Sequence, residues 1–153
     1  MAVVIVDIDG TVADCGDRAR KYLETDPKDW DKFYDSCAED KPIKGVIDVV
    51  GFLNAYNAIV FVSGRRESCR EDTEKWILKN MPFFHSASDF KMYLRGNDDH
   101  RHDTEVKPEL LEKLFEEGVD RSRILCILED RNSMVKKWRE LGYTCLQVAE
   151  GDF

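Results

Sequence analysis

Short apolar runs alternate along this chain with segments of helical spacing, and this alternation constrains the fold more than any other feature. The predicted strands are residues 2–6, 58–62, 90–94, 124–128 and 144–148. The predicted helices are residues 45–56, 67–80, 104–115 and 134–141. The first, second and fourth runs are apolar throughout, as in strands of a parallel sheet that helices cover on both faces. We therefore predict an α/β fold with a doubly wound, mainly parallel sheet and helices on both faces.

A polar segment, residues 13–41, separates the first predicted strand from the first predicted core-packing helix. Within it, Asp26 and Pro27 have the pattern of a helix N-cap followed by proline at the first helical position, which predicts a short helix over residues 28–34. We interpret the segment as a small helical cap inserted after the first strand. Because 153 residues fit one domain, we predict a single domain over residues 1–153.

The composition is that of a globular protein, with 42% hydrophobic and 35% charged residues. No apolar run approaches the roughly 18 residues of a membrane span, and the apolar start lacks a basic segment and a cleavage site, so we predict a cytoplasmic protein. The five cysteines form no Cys-x-x-Cys pair, which favours reduced thiols over a disulfide framework or a zinc site. The net charge of −8 argues against general binding of long nucleic acids but leaves room for a local basic pocket.

Two aspartates, a glycine and a threonine end the first strand abruptly. Asp7 and Asp9 are two residues apart, so on an extended chain their side chains point to the same side. Neighbouring carboxylates repel each other, which raises the pKa of one of them unless a cation joins them. A hard divalent ion such as Mg²⁺ prefers oxygen ligands and removes this penalty, while Gly10 lets the backbone turn sharply. The pattern predicts a Mg²⁺ site at this strand end.

Polar residues also follow the other two fully apolar strands. Ser63 and Gly64 offer a hydroxyl and unhindered backbone N–H groups, as an anion site requires, and Arg65 offers a guanidinium for phosphate. Glu129 and Asp130 add carboxylate oxygens after another strand. In doubly wound sheets, ligands bind outside the carboxyl ends of the strands. We therefore expect these residues to meet the aspartates of the first strand in one crevice.

Each of these signals also has a purely structural explanation. Acids at strand ends are often turn residues, a serine before a glycine is often a helix cap, and a single lysine such as Lys107 usually faces solvent. The loop 100–103 lacks the ligand spacing of structural zinc sites, and Val12 and Arg18 stand where an EF-hand loop has glycine and glutamate. The tryptophans are interpreted as core or helix-face packing residues: Trp30, Trp76 and Trp138.

Taken in order, four segments resemble the four motifs of the haloacid dehalogenase (HAD) superfamily. They are Asp7-Ile-Asp-Gly-Thr-Val, Ser63, Lys107 and Glu129-Asp130. Longer segments are similar to the 3′-phosphatase domain of phage-type polynucleotide kinase-phosphatases. They include Lys28-Asp-Trp-Asp-Lys-Phe, Ser63-Gly-Arg-Arg-Glu-Ser, Asp103-Thr-Glu-Val-Lys, Met134-Val-Lys-Lys-Trp and the final Gly151-Asp-Phe. Glu129 departs from the family, which commonly has aspartate there.

The resemblance implies a Rossmann-like HAD fold and a phosphatase that works through an aspartyl-phosphate. Asp7 is then the nucleophile, while Asp9 protonates the leaving sugar oxygen and later deprotonates the attacking water. Ser63 and Lys107 neutralise charge on the phosphoryl oxygens together with the implied cofactor, Mg²⁺. The implied metal-binding residues are Asp7, Asp9, Asp130 and Glu129. The implied substrate- and phosphate-binding residues are Thr11, Ser63, Gly64, Arg65, Arg18, Arg95 and Asp103.

The predicted function is removal of the 3′-phosphate from DNA or RNA ends by a Mg²⁺-dependent phosphatase. No Gly-x-x-x-x-Gly-Lys-Ser/Thr motif occurs, so we expect no 5′-phosphorylation unless the chain is an excised domain linked to a 5′-kinase or a ligase. One alternative is a phosphatase of mononucleotides or other small molecules. Another is a receiver-like binding module switched by phosphorylation, which also combines strand-end acids with a hydroxyl and a lysine.

Overall fold

A computed structural model describes residues 1–152 and shows a parallel sheet between two layers of helices. The strands are β1 (Ala2–Val6), β2 (Ala13–Asp14), β3 (Lys41–Pro42), β4 (Asn57–Arg66), β5 (Lys91–Arg95), β6 (Ile124–Arg131) and β7 (Cys145–Gly151). The α-helices are α1 (Gly16–Leu23), α2 (Trp30–Asp35), α3 (Lys44–Asn54), α4 (Arg70–Asn80), α5 (Asp103–Glu116) and α6 (Asn132–Glu140). The main sheet has the order β5-β4-β1-β6-β7, and every neighbouring pair is parallel. The predicted fold class is confirmed, and β1 lies at the centre.

Side chains that alternate along β1 enter two separate cores, one on each face of the sheet. The first core joins β1 and β4 to α3 and α4 through Val4, Val6, Ile59, Phe61, Ile47, Val50, Trp76 and Ile77. The second joins the same strands to α5 and α6 through Val3, Ile5, Val60, Val62, Leu110, Leu111, Met134 and Trp138. Burying one side chain of this size contributes about 1.5–3 kcal/mol. The two cores therefore fix the strands and the positions of their carboxyl ends.

The segment interpreted as a cap lies between β1 and α3. It contains α1 and α2, and the short strands β2 and β3 pair in antiparallel orientation at its two ends. Phe33, Tyr34 and Cys37 of the cap form a small buried cluster with Cys69, which lies just before α4. The cap is thus packed against the body of the protein beside the end of β4.

The starts of two helices differ from the prediction. Helix α2 begins at Trp30 because the Asp29 carboxylate accepts the N–H of Lys32 at 3.1 Å, so the prediction that Asp26 and Pro27 begin it is wrong. Helix α5 is capped by the imidazole of His102, which accepts the N–H of Thr104 at 3.3 Å. Several side chains within a few residues of each helix start are able to accept a backbone N–H, and the sequence alone does not show which of them caps the helix.

One apolar residue of α3 faces solvent. Val49 is 48% exposed, whereas Ile47 and Val50 are buried against the sheet. Residues three apart lie on one face of a helix, and Val49 falls outside the face that Ile47 and Val50 define.

Two strands run further than their apolar segments. Strand β4 continues to Arg66, so Ser63, Gly64 and Arg65 belong to the strand itself. Strand β6 continues to Arg131 and includes Glu129 and Asp130 in the same way. Backbone pairing with neighbouring strands extends into both segments, which holds the polar residues on rigid elements.

Within residues 1–152, no helix combines the length and the apolar character that crossing a membrane demands. All five cysteines carry free thiols, and four of them are buried.

Candidate active site

The carboxyl ends of three neighbouring strands form one cleft. Because β1 lies between β4 and β6, residues that follow or end these strands come together. The cleft has a volume of about 890 Å³, and its lining includes Asp7, Asp9, Ser63, Glu129 and Asp130. The structure thus brings together the polar strand ends that the sequence predicts to meet.

Three buried carboxylates stand side by side in this cleft. Asp7, Glu129 and Asp130 each place an oxygen within 4.8 Å of the other two. Burial, together with the negative charge of Glu129, raises the pKa of Asp7 to about 8. Burial and the charge of Asp7 raise the pKa of Asp130 to about 6. The cluster therefore carries more negative charge than its surroundings stabilise, and its oxygen donors suit a hard cation such as Mg²⁺.

Lys107 joins two of these carboxylates from the first turns of α5. Its Nζ donates to Asp7 Oδ1 at 2.7 Å and to Glu129 Oε2 at 2.9 Å. Burial alone lowers the pKa of a lysine, but the charges of Asp7 and Glu129 outweigh it and raise the pKa of Lys107. The ammonium therefore stays charged and fixes the orientation of the Asp7 carboxylate.

Asp9 lies outside this acidic group and is held by two arginines. Arg65 donates to its carboxylate through Nη2 at 2.7 Å, and Arg18 donates through Nη2 at 2.8 Å. Burial raises the pKa of Asp9, but the charges of Arg65 and Arg18 outweigh it and lower the pKa to about 2. The two aspartates of the Asp-x-Asp motif thus differ in protonation because their neighbours differ.

Asp40, a cap residue that the sequence analysis missed, holds both of these arginines. Its carboxylate accepts Arg18 Nε at 2.9 Å and Arg65 Nη2 at 3.0 Å. Its backbone carbonyl accepts the indole N–H of Trp76 at 2.7 Å. A single aspartate in a polar segment has no sequence signal of its own, since its role depends on contacts with residues 22 and 25 positions away. Asp40 links the cap to the side chain of Asp9.

Two hydroxyl side chains stand at this edge of the sheet, Thr11 in contact with the acidic group and Ser63 in contact with its own strand. The Thr11 hydroxyl donates to Asp130 Oδ1 at 3.1 Å and lies 3.3 Å from Asp7 Oδ2. The Ser63 hydroxyl accepts the N–H of Arg65 at 3.2 Å and lines the cleft. Ser63 is therefore fixed by its own strand, with its hydrogen free to point into the cleft.

A second charged group surrounds Asp103 at the start of α5. Arg95 forms an ion pair with one oxygen of Asp103, and Arg131 Nη1 donates to the other at 2.9 Å. The absence of a side chain at Gly64 is required here, because a Cβ would lie 2.7 Å from Asp103 Oδ1. Arg95, Asp103, Arg131 and Gly64 all line the cleft.

Three predicted phosphate-binding residues take supporting positions instead of lining the cleft. Arg65 is fully buried and Arg18 nearly so, and both are committed to Asp9 and Asp40. Thr11 is also fully buried. The described lining of the cleft includes none of the three, so their direct contact with a phosphate stays a prediction. In the nearby loop, the His102 ring caps α5.

Replacing Gly10 with alanine is expected to disturb the acidic group. Gly10 has φ +85°, and a Cβ would lie 2.1 Å from Asp130 Oδ2. The left-handed backbone and this contact together are expected to lower the free energy of unfolding by about 1–3 kcal/mol. Urea unfolding of Gly10→Ala measures the effect. Gly45→Ala is the control, since no atom lies within 4 Å of its added Cβ; equal stability of the two variants would contradict the prediction.

The whole chain matches a known protein family. Residues 1–153 match the model of the polynucleotide kinase PNKP phosphatase domain, which is a HAD family. The chain belongs to this family. The HAD resemblance predicted from the four motifs is confirmed, and the chain is a phosphoric monoester hydrolase of the HAD type. The enzyme assignment leaves no support for the receiver-like binding module.

Two kinds of relative are similar to this chain over most or all of its length. A protein of the Autographa californica nuclear polyhedrosis virus, described as a candidate bifunctional polynucleotide kinase/RNA ligase, is 30% identical over 140 residues. These residues are 90% of this chain and 18% of the viral protein. A chain in the structure of the Pnkp1/Rnl/Hen1 RNA repair complex is 27% identical, with a TM-score of 0.73. It matches 100% of this chain over 44% of its own length, so the chain spans less than half of either relative.

More distant structures share only the fold. A haloacid dehalogenase-like hydrolase from Streptococcus pneumoniae is 13% identical and superimposes with a TM-score of 0.68. The match covers 96% of this chain and 84% of that protein. The PNKP-type domain is therefore built on the general HAD sheet.

Proposed function

We propose that this chain is a Mg²⁺-dependent polynucleotide 3′-phosphatase that works through an aspartyl-phosphate. One observation carries the proposal: Asp7 lines the cleft, 2.7 Å from Lys107 Nζ and grouped with Glu129 and Asp130. A fixed carboxylate, an ammonium and metal-binding oxygens are the groups that phosphoryl transfer through a covalent intermediate needs. Membership of the PNKP phosphatase family supports a polynucleotide as the carrier of the phosphate.

Asp7 is the proposed nucleophile. Lys107 and Thr11 contact its two oxygens, so the carboxylate is already oriented before substrate binds. One oxygen attacks the phosphorus, and the bond from phosphorus to the sugar 3′-oxygen breaks. The products of this step are an aspartyl-phosphate and a free 3′-hydroxyl. The Lys107 ammonium and the Ser63 hydroxyl donate hydrogen bonds to the phosphoryl oxygens as negative charge develops on them.

Asp9 is the proposed acid and base. Before substrate binds, its two arginines keep it ionised. The negative charge of an entering phosphate raises the pKa of a nearby carboxylate, so the proton of a monoanionic substrate passes to Asp9 and then to the leaving 3′-oxygen. In the second step, the ionised Asp9 takes a proton from the water that attacks the aspartyl-phosphate. This exchange restores Asp7 and releases inorganic phosphate.

The three neighbouring carboxylates support Mg²⁺ as the cofactor. Asp7 and Asp130 are the proposed ligands, and Glu129 lies beside them with one oxygen engaged by Lys107. When bound, Mg²⁺ supplies positive charge to the phosphoryl oxygens and keeps Asp7 ionised at neutral pH. Without a cation, the raised pKa of Asp7 leaves a substantial fraction of the nucleophile protonated.

The relatives support a link to nucleic-acid repair. One is named for polynucleotide kinase and RNA ligase activities, and another is part of an RNA repair complex. Removing a 3′-phosphate leaves the 3′-hydroxyl that a ligase joins to a 5′-phosphate. We therefore propose that a 5′-kinase and a ligase act on the same nucleic-acid ends.

A substrate panel tests the proposed activity. We expect the chain to release phosphate from a 3′-phosphorylated oligonucleotide in Mg²⁺ and to lose this activity in EDTA. The control is the same oligonucleotide with a 5′-phosphate in place of the 3′-phosphate. It should keep its phosphate. Contacts along the strand are expected to raise kcat/KM for the oligonucleotide about tenfold or more above that for a 3′-mononucleotide.

The same panel separates this proposal from the small-molecule alternative. Equal kcat/KM values for the mononucleotide and the oligonucleotide would favour a mononucleotide phosphatase. No release from either substrate in Mg²⁺ would contradict the proposed chemistry altogether.

A further inference from the structure

The cap places an exposed tryptophan in the wall of the catalytic cleft. Trp30, the first residue of α2, is 45% exposed and lines the same cleft as Asp7. Trp76 and Trp138 are buried in the two cores, as the sequence predicts. Trp30 differs from them, because packing accounts for only part of its ring and much of the ring is open to solvent.

Two buried aromatic side chains hold the Trp30 ring in place. The Tyr34 ring is stacked on it at a centroid distance of 6.2 Å and an interplanar angle of 28°. The Phe33 ring meets it edge-on at 5.9 Å. Since Phe33 and Tyr34 are themselves buried in the cap, their contacts hold the exposed ring, which loses little freedom when a ligand stacks on it.

Cationic side chains flank this aromatic surface within the cleft. Lys28 Nζ lies 5.9 Å from the centre of the Trp30 ring. The Arg66 guanidinium lies over the Tyr34 ring at 4.5 Å. Both Lys28 and Arg66 line the cleft. Aromatic rings with interleaved cations form surfaces on which bases stack while the charges meet the sugar-phosphate backbone.

We propose that Trp30 stacks on an unpaired nucleobase at the 3′ end of the substrate, so that the enzyme acts on single-stranded or frayed ends. The proposal rests on the polynucleotide 3′-phosphatase function, because it requires a 3′-phosphate at Asp7 and a base within reach of the cap. Inside a duplex both faces of a base are covered by its neighbours, and the terminal pair leaves only its outer face open, so a base next to the end reaches Trp30 only when it is unpaired. Stacking on Trp30 therefore selects for an end whose last bases are free.

Abasic substrates isolate the contribution of stacking. Two single-stranded 3′-phosphorylated oligonucleotides are compared, one complete and one lacking the bases of its last two nucleotides. We expect the wild type to have a KM about tenfold lower for the complete strand, a difference typical of one stacked base. Trp30→Ala is expected to remove this difference, whereas Trp30→Phe should keep most of it. Phe52→Ala is the matched control, since Phe52 is 79% exposed on α3 and lies outside the cleft lining.

The readouts separate stacking from a structural role of Trp30. If Trp30→Ala slows both substrates equally, Trp30 only supports the cap and the stacking proposal is overturned. If the wild type itself processes both strands with equal KM, the proposal is overturned while the 3′-phosphatase function stands. Absence of 3′-phosphatase activity in the wild type would instead overturn the function on which the proposal rests. Quenching of Trp fluorescence by an oligonucleotide, lost in Trp30→Phe but retained in Phe52→Ala, provides independent support.

Discussion

Asp7→Asn is expected to abolish the phosphatase activity while leaving the fold intact. An amide in place of the carboxylate cannot form the proposed aspartyl-phosphate, so kcat is expected to fall by a factor on the order of 10⁴ or more. Phosphate release from a 3′-phosphorylated oligonucleotide measures the loss. Asp48→Asn, which changes an exposed aspartate on α3, removes the same charge far from the acidic group and should keep full activity.

The same substitution is expected to stabilise the metal-free protein above neutral pH. The pKa of Asp7 is raised to about 8 in the folded state, from an ordinary value of 3.8. A carboxyl with a raised pKa favours folding below its unfolded pKa and loses that advantage as pH rises through the folded pKa. The amide of the variant carries no charge at any pH, so Asp7→Asn should be the more stable protein at pH 8 and above. At that pH, the free energy of unfolding of the variant is expected to exceed that of the wild type by about 1 kcal/mol or more, and this difference should disappear towards pH 4.

Added Mg²⁺ is expected to reverse this order of stability. An ion that binds only the folded wild type, present at a concentration 100 times its Kd, adds about 2.7 kcal/mol to the free energy of unfolding and so raises Tm. Asp7→Asn removes one proposed ligand and should gain much less. Thermal unfolding with and without Mg²⁺ tests this without any measurement of activity. Equal gains in the two proteins would show that Asp7 contributes nothing to binding the ion.

The strand ends that form the candidate site were predictable because their signal is local. An apolar run followed at once by acids, as at Asp7, or by a serine and glycine, as at Ser63, can be located within a dozen residues. The fold class then brings such ends to one edge of the sheet, since parallel strands share their direction. Sequence pattern and topology together were sufficient to place Glu129 and Asp130 beside them.

The partners of the charged residues could not be predicted in this way. The sequence predicts that Arg18 and Arg65 bind phosphate, which stays a prediction, but it does not predict that they surround Asp9 and are held by Asp40. These contacts depend on how the cap packs against the body, and no local pattern encodes that packing. The exposure of Trp30 has the same origin, because its helix is short and buries only the side of Phe33 and Tyr34.

Lys107→Met is expected to cause the largest loss of stability among single substitutions in the site. Methionine keeps a similar unbranched chain but removes the ammonium that Asp7 and Glu129 share. Removing one partner of a buried ion pair typically costs about 3–5 kcal/mol, because the remaining charges stay buried without compensation. Urea unfolding of the metal-free proteins at pH 8 measures this cost. Lys113→Met changes an exposed position in the last turn of the same helix. Its free energy of unfolding should stay within about 0.5 kcal/mol of the wild-type value.

The pH dependence of Lys107→Met identifies the cause of its instability. Without the ammonium, the pKa of Asp7 is expected to rise further, since Lys107 is the main group that opposes burial and the charge of Glu129. Protonation of Asp7 then relieves its repulsion with Glu129, so the deficit in the free energy of unfolding relative to wild type should shrink as pH falls towards 4. If the loss of stability of Lys107→Met is equally large at pH 4 and pH 8, its cause is the packing of the new methionine side chain and not the lost charge. In that case the three carboxylates would owe their arrangement to the sheet alone, and not to the lysine between them.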